Sequence, residues 1–230
     1  MIPMSIGGGV LFSKEDPALN RGFFTALLEF LREETSDERT VIMVIGGGIL
    51  ARMRQNDAKF FGVTDPKKLD MIGLRVTRHN SYYIKDLLAA NEMHVDILRL
   101  GRKNSNGIKF HPGCVYVCGG MDTGHTSDYV AVRAAIACRS CTIFNIGARK
   151  GLHPFTEKGF DSASVIDSIS FEEYLQKVPE HKPGENIPFD RQSTELARDN
   201  GISIVLLGPD IRNFRKCLDG GDFAGTIIHP

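Results

Sequence analysis

Three short glycine runs stand where this chain could do chemistry: Ile6-Gly7-Gly8-Gly9, Ile45-Gly46-Gly47-Gly48 and Val117-Cys118-Gly119-Gly120. Each closes an apolar stretch. Glycine lets the backbone approach a ligand and turn its amides toward it. A helix that starts just beyond adds free N–H groups and a partial positive charge. That pairing suits an oxyanion, most often a phosphate. One such loop is an ordinary strand-to-helix turn. Three in one chain predict a phosphate or other oxyanion site at the strand ends. Arg52 follows Gly48 by one helical turn, near the mouth of the second loop, where a guanidinium can hold a phosphate with two parallel bonds. Gly124-His125-Thr126-Ser127-Asp128 sets hydroxyls and a carboxylate at a helix start. Thr126 or Ser127 would cap that helix, with Asp128 favouring its dipole, and the same groups could face a ligand.

The absences narrow the chemistry. No glycine run continues into Gly-Lys-Ser/Thr, and no Gly-x-Gly-x-x-Gly follows a strand, so the two commonest nucleotide-binding loops are missing. No Gly-x-Ser-x-Gly elbow supports a hydrolase. Cys138-Arg-Ser-Cys141 lacks a second pair for zinc or a thioredoxin-like setting and reads as buried structural thiols. Cys114 and Cys118 share one face of a strand and read as core. No histidine spacing suits a metal, so no protein-held metal site is expected; His125 is the histidine placed near a ligand.

These loops need a scaffold of alternating strands and helices. Met1–Ile6, Thr40–Ile45, Val95–Leu98, Cys114–Cys118, Thr142–Ile146 and Ile202–Leu207 read as strands, most of them continuous apolar runs of the buried parallel kind. Helical spacing marks Gly22–Glu34, a segment from Ile49, a longer one through Leu69, Ile72, Val76, Tyr83 and Leu87, and Ser127–Ala137. Phe171–Val178 and Ile211–Leu218 follow as shorter helices, and Asp190 would cap one that Gly201 stops. Gly225–Ile228 would be a last, edge strand, and Glu180–Asn186 a loop. Strands separated by helices argue for an α/β fold with helices on both sheet faces.

Composition agrees. The chain has 230 residues, 42% hydrophobic and 24% charged, which excludes a disordered, coiled-coil or collagen-like chain. Its 28 basic and 28 acidic residues cancel, leaving no global attraction to nucleic acid or an anionic membrane. No apolar run is long enough to span a bilayer, and no signal pattern opens the chain. Five cysteines, an odd number, read as free thiols of a cytoplasmic protein.

The series of motifs resembles the uridylate (UMP) kinases of the amino acid kinase superfamily, and most of all their archaeal-type branch. The matching residues are Gly7-Gly8-Gly9-Val10-Leu11, Gly46-Gly47-Gly48-Ile49-Leu50-Ala51-Arg52, and Ile72-Gly73 with Thr77-Arg78-His79-Asn80. Gly119-Gly120 with Gly124-His125-Thr126-Ser127-Asp128, Asp190 with Leu196-Ala197, and Gly225-Thr226-Ile227-Ile228 complete the run. The likeness spans nearly the whole chain. It implies one amino-acid-kinase-like domain over 1–230, a three-layer αβα sandwich with a mostly parallel sheet. The acceptor half would be about 1–140 and the donor half about 141–230. It implies transfer of the γ-phosphoryl of ATP to UMP, with magnesium, by a homo-oligomer, a hexamer or dimer. Gly7, Gly8 and Gly9 would face the transferring phosphates, with Gly48, Arg52 and Lys150 toward ATP. Gly47, Asp70, Gly73, Gly119, Gly120, Gly124, His125, Thr126 and Ser127 would bind UMP. Arg52 and Asp128 would be catalytic.

The sequence departs from that family in two places. The first loop ends in Gly9 where the family has serine, and Met4 or Ser5 stands where many members have lysine; Lys14 would be a substitute cation. Past Ile146, a gapless alignment sets Gly147, Ala148, His153 and Thr156 at family ATP-contact positions, and Arg149 and Lys150 enter beside them. A gapped alternative puts Asn145 at the family asparagine. These departures leave three readings: a UMP kinase with an altered ATP pocket, a phosphotransferase with another acceptor or donor, or a non-catalytic relative. The last would bind a nucleotide or hold an oxyanion such as molybdate.

Overall fold

Strand β1 (Ile2–Ile6) opens the chain, and the glycines after it wind into a single turn, α1 (Gly8–Leu11). The computed structural model describes residues 1–12, 18–101, 107–147, 151, 155–156, 159–160, 165–178 and 187–230, with 155–156 and 159–160 as backbone. Helix α2 (Arg21–Ser36), strand β2 (Val41–Ile45), helix α3 (Gly48–Phe60) and the long α4 (Pro66–Ala90) follow. Then come β3 (Val95–Ile97), β4 (Val115–Cys118), α5 (Ser127–Ala137) and β5 (Thr142–Ile146). A small pair, β6 (Phe155–Thr156) and β7 (Gly159–Phe160), precedes β8 (Ser168–Ser170) and α6 (Phe171–Lys177). The chain closes with α7 (Arg191–Asp199), β9 (Ser203–Leu207), α8 (Ile211–Leu218) and β10 (Gly225–His229).

Eight strands form one sheet in the order β3-β4-β2-β1-β5-β9-β10-β8. Every pairing is parallel except β9 with β10. The alternation along β2 shows how the layers form. Ile42 and Val44 pack on one face with α5, α6 and α7, through residues such as Val130, Tyr174 and Ala197. Val41, Met43 and Ile45 pack on the other with α2, α4 and α8, through Leu27, Ile84 and Phe214. This is the expected αβα sandwich.

The helix ends follow local chemistry. Asp65 caps α4 with Pro66 in its first turn, Thr126 caps α5, and Asp190 caps α7. Gly201, at φ +64°, supplies the left-handed stop after α7.

Two expectations need correction, and others fall outside the described residues. Gly225–Ile228 is not an edge strand: β10 lies between β9 and β8. The edge is β8, whose three residues are too few to carry a pattern. Cys138 is buried as expected, but Cys141, beyond the end of α5, is exposed. The loop expected over Glu180–Asn186 and Lys14, Ala148, Arg149, Lys150 and His153 lie outside the described residues.

Candidate active site

The sheet order reverses direction around β1. Beside β1 lie β2, β4 and β3 on one side and β5 and β9 on the other. In an open parallel sheet this is where a crevice opens beyond the strand carboxyl ends. A cleft of 540 Å³ lies there.

The first two glycine loops touch at its floor. A Cβ on Gly8 would lie 2.1 Å from the Gly48 nitrogen, and one on Gly48 would lie 2.7 Å from the Gly8 carbonyl carbon. Gly48 also sits at φ +62°, where side chains are strained. Only glycine backbones can pack so closely, and the contact brings the two loops to one point. The opening turn of α3 therefore faces the cleft with amides that lack an intrahelical acceptor. Arg52, one turn along, is exposed and lines the same cleft. It is the only lysine or arginine among the described lining residues.

The opposite wall is the segment from Gly120 to Asp128. His125, Thr126, Ser127 and Asp128 line the cleft, with Asp70, Gly73 and Thr77 of α4 beside them. The Asp70 carboxylate accepts the Gly124 N–H at 2.5 Å, joining this segment to α4. The His125 ring lies flat on Tyr129, with centroids 4.0 Å and planes 5° apart. Its Nδ1 is shielded from solvent and has no hydrogen-bond partner among the described residues.

A polar network forms the floor on the β5 side. Asn145 donates from Nδ2 to Asp128 Oδ1 at 3.0 Å. Asp190 accepts the Thr126 hydroxyl at 2.5 Å, the Ser193 hydroxyl at 2.5 Å and the Ser193 N–H at 2.9 Å. Burial, and then the nearby Asp190 carboxylate, push the Asp128 carboxyl well above the usual carboxylate range. The bonds from the Asp190 backbone and Asn145 pull the other way.

Thus Gly7, Gly8, Gly9, Gly47, Gly48, Arg52, Asp70, Gly73, Gly120, His125, Thr126, Ser127 and Asp128 share one cleft. Gly119 and Gly124 stand outside its lining. Gly119 is pressed on α4, where an added Cβ would meet Ser81 Oγ at 2.7 Å. Gly124 makes a turn at φ +82°. Lys150 lies outside the described residues. Ser5, Gln55, Thr77 and Asp190, to which the sequence assigned no ligand role, also line the cleft, as does Asn145, the gapped candidate for the family asparagine. Ser5 and Asn145 carried a usable signal: both are polar residues within buried strands.

The profile of the Amino acid kinase family matches residues 4–208. The chain belongs to the amino acid kinase family. Within that family it is similar to the uridylate kinase of Thermoplasma acidophilum, at 26% identity over 99% of this chain and 96% of that one. It is 28% identical to the uridylate kinase of Natronomonas pharaonis, covering all of this chain and 98% of the relative. The crystal structure of the uridylate kinase from Archaeoglobus fulgidus shares the fold, with a TM-score of 0.77 over 99% of this chain and all of the other at 22% identity. As an amino acid kinase, the chain keeps its glycine loops at the switch point of the sheet. Of the positions where it departs from the uridylate kinase pattern, Ser5, Gly9 and Gly147 line the cleft.

Proposed function

We propose that this chain is a UMP kinase that moves the γ-phosphoryl of ATP to UMP, giving UDP and ADP. One observation carries the reading. The glycine loops after β1 and β2, Arg52 and the segment from Gly120 to Asp128 converge on one cleft large enough for two nucleotide phosphate ends. The full-length similarity to uridylate kinases supports the same acceptor.

A UMP phosphate oxygen attacks the γ-phosphorus, and the bond to the β-phosphate oxygen breaks to release ADP. The protein's work is positioning and charge stabilisation. Gly8, Gly9 and Gly48 offer backbone amides to the transferring phosphates. Arg52 opposes the charge that builds on them. Asp70, Gly73, His125 and Thr126 hold UMP, and Asp128 orients the phosphate end. Gly47 lies on the UMP side.

Magnesium fits this arrangement. Among the described residues no group of three or more His, Cys, Asp or Glu forms a cage. Magnesium usually keeps its waters and rides on substrate phosphates with one or two carboxylates. Asp128 is the carboxylate beside the phosphate loops that would hold it, and the ion would supply charge neutralisation on the phosphates. No specific observation favours a non-catalytic or oxyanion-storing role.

The test is ADP release by the purified protein with ATP, magnesium and UMP, run beside CMP, AMP and no acceptor. UMP-dependent ADP is expected. Equal release with all three nucleotides, or none, would overturn the reading.

A further inference from the structure

Thr77-Arg78-His79-Asn80 lies midway along α4 and has no role in the chemistry above. Its side chains nevertheless reach both walls of the cleft. The Arg78 guanidinium donates from Nε to the Gly120 carbonyl at 2.9 Å and from Nη2 to the Met121 carbonyl at 2.5 Å. The neighbouring Thr77 hydroxyl accepts the Gly120 N–H at 2.8 Å. Asn80, buried one turn on, donates to the Gly46 carbonyl at 3.0 Å in the other loop.

We infer that Arg78 is a positioning residue for the acceptor: it holds the Gly120–Met121 backbone so that the segment up to Thr126 meets UMP in one conformation. This rests on the reading of the site as a UMP kinase. Arg78 does not line the cleft; it acts on the acceptor through the backbone of Gly120, which does, and of Met121. Its two bonds are at the surface, so they are not needed to satisfy buried carbonyls. Their effect is directional. With Thr77 on its N–H and Arg78 on its C=O, Gly120 is gripped from both sides. An added Cβ on Gly120 would meet Leu74 Cδ1 at 2.6 Å, so the loop is also pressed against α4. The next anchors are the Asp70 bond to Gly124 and the Asp190 bond to Thr126. Without Arg78, the Gly120 and Met121 carbonyls would lose the fork that fixes their direction. A guanidinium is required because its planar fork reaches two carbonyls at once, whereas an ammonium is a single compact charge.

The test compares wild type, Arg78→Ala and Arg78→Lys. Arg78→Ala should raise the KM for UMP about tenfold, the effect of losing two charge-assisted hydrogen bonds partly replaced by water. The KM for ATP should stay within about twofold, and the melting temperature should be unchanged, as expected for a surface substitution. Added guanidinium ion should lower the raised KM of Arg78→Ala and leave wild type unaffected. Arg78→Lys should stay impaired. An unchanged UMP KM in Arg78→Ala, or an equal rise for ATP, would overturn the inference. Failure of the wild type to turn over UMP would instead overturn the kinase reading. Amide exchange then decides Arg78 by itself: Arg78→Ala should speed exchange across 119–126 and leave β1 and α7 as in wild type. Unchanged exchange there would refute the anchoring role.

Discussion

The Thr126 hydroxyl donates to Asp190 Oδ2 at 2.5 Å, across 64 residues of sequence, and joins the start of α5 to the start of α7. The same carboxylate caps α7 and accepts the Ser193 hydroxyl, so one buried group holds two helix ends beside the cleft. Asp190→Ala removes the cap and takes the shared acceptor from two hydroxyls, which keep only a long 3.3 Å contact with each other. Cap loss costs about 1 kcal/mol and each abandoned buried group about 1–3 kcal/mol. We expect a loss of roughly 3 kcal/mol in urea unfolding, and a smaller loss for Thr126→Val. A change below about 0.5 kcal/mol for Asp190→Ala, the range of ordinary surface substitutions, would show that the network bears little of the fold.

Asp128 gives a pH signature. Its carboxyl is pushed above the ordinary range in the folded state by burial and by Asp190. The folded chain therefore holds this proton over a range where the unfolded chain has released it. Stability from this group is full below the unfolded carboxyl pKa, about 3.9, and is lost as pH rises toward the folded value. Asp128→Asn should melt higher than wild type at pH 8, and the gap should close as pH falls toward 4. Turnover should drop at least about tenfold in the same variant, because a magnesium ion beside Asp128 would favour the anionic carboxylate and an amide cannot supply that charge. Equal melting curves at both pH values would mean the carboxyl is ionised and well solvated.

Arg52 separates chemistry from folding. It is exposed and lines the cleft one helical turn beyond Gly48. Arg52→Ala should leave the melting temperature within about 1 °C, a surface effect, and cut kcat/KM at least about tenfold. Turnover near wild type would remove Arg52 from the transferring phosphates.

Gly8 and Gly9 are neighbours with opposite tolerance. A Cβ on Gly8 would lie 2.1 Å from the Gly48 nitrogen, whereas one on Gly9 meets nothing within 4 Å. Gly8→Ala should cost about 1–3 kcal/mol by forcing the two loops apart. Gly9→Ala should change stability by less than about 0.5 kcal/mol. Chemical unfolding of both variants checks the contrast, and equal effects would show that the loops do not meet there.

Legibility differed between fold and site. The strand at Thr142–Ile146 and the helix at Ser127–Ala137 were readable because burial on both faces and helical periodicity are written in adjacent residues. The short β8 was not, since its three residues depend on β10 for their place. In the site, Gly8, Gly48, Arg52 and Asp128 could be read from loop chemistry. Asp190 was read as a helix cap but not as part of the cleft.

The sequence by itself determined the alternation of strands and helices, the glycine loops at strand ends and the caps on α5 and α7. Each depends on residues within about one turn of each other, through periodicity, glycine's freedom or a side chain bonding its own helix start. The tertiary structure decided which of those pieces meet. Gly8 touches Gly48, Asn145 reaches Asp128, and Arg78 grips Gly120 because parallel strands with helical crossovers set neighbours in space far apart in the chain. Spacing along the sequence cannot show such partners. Sheet order and packing select them.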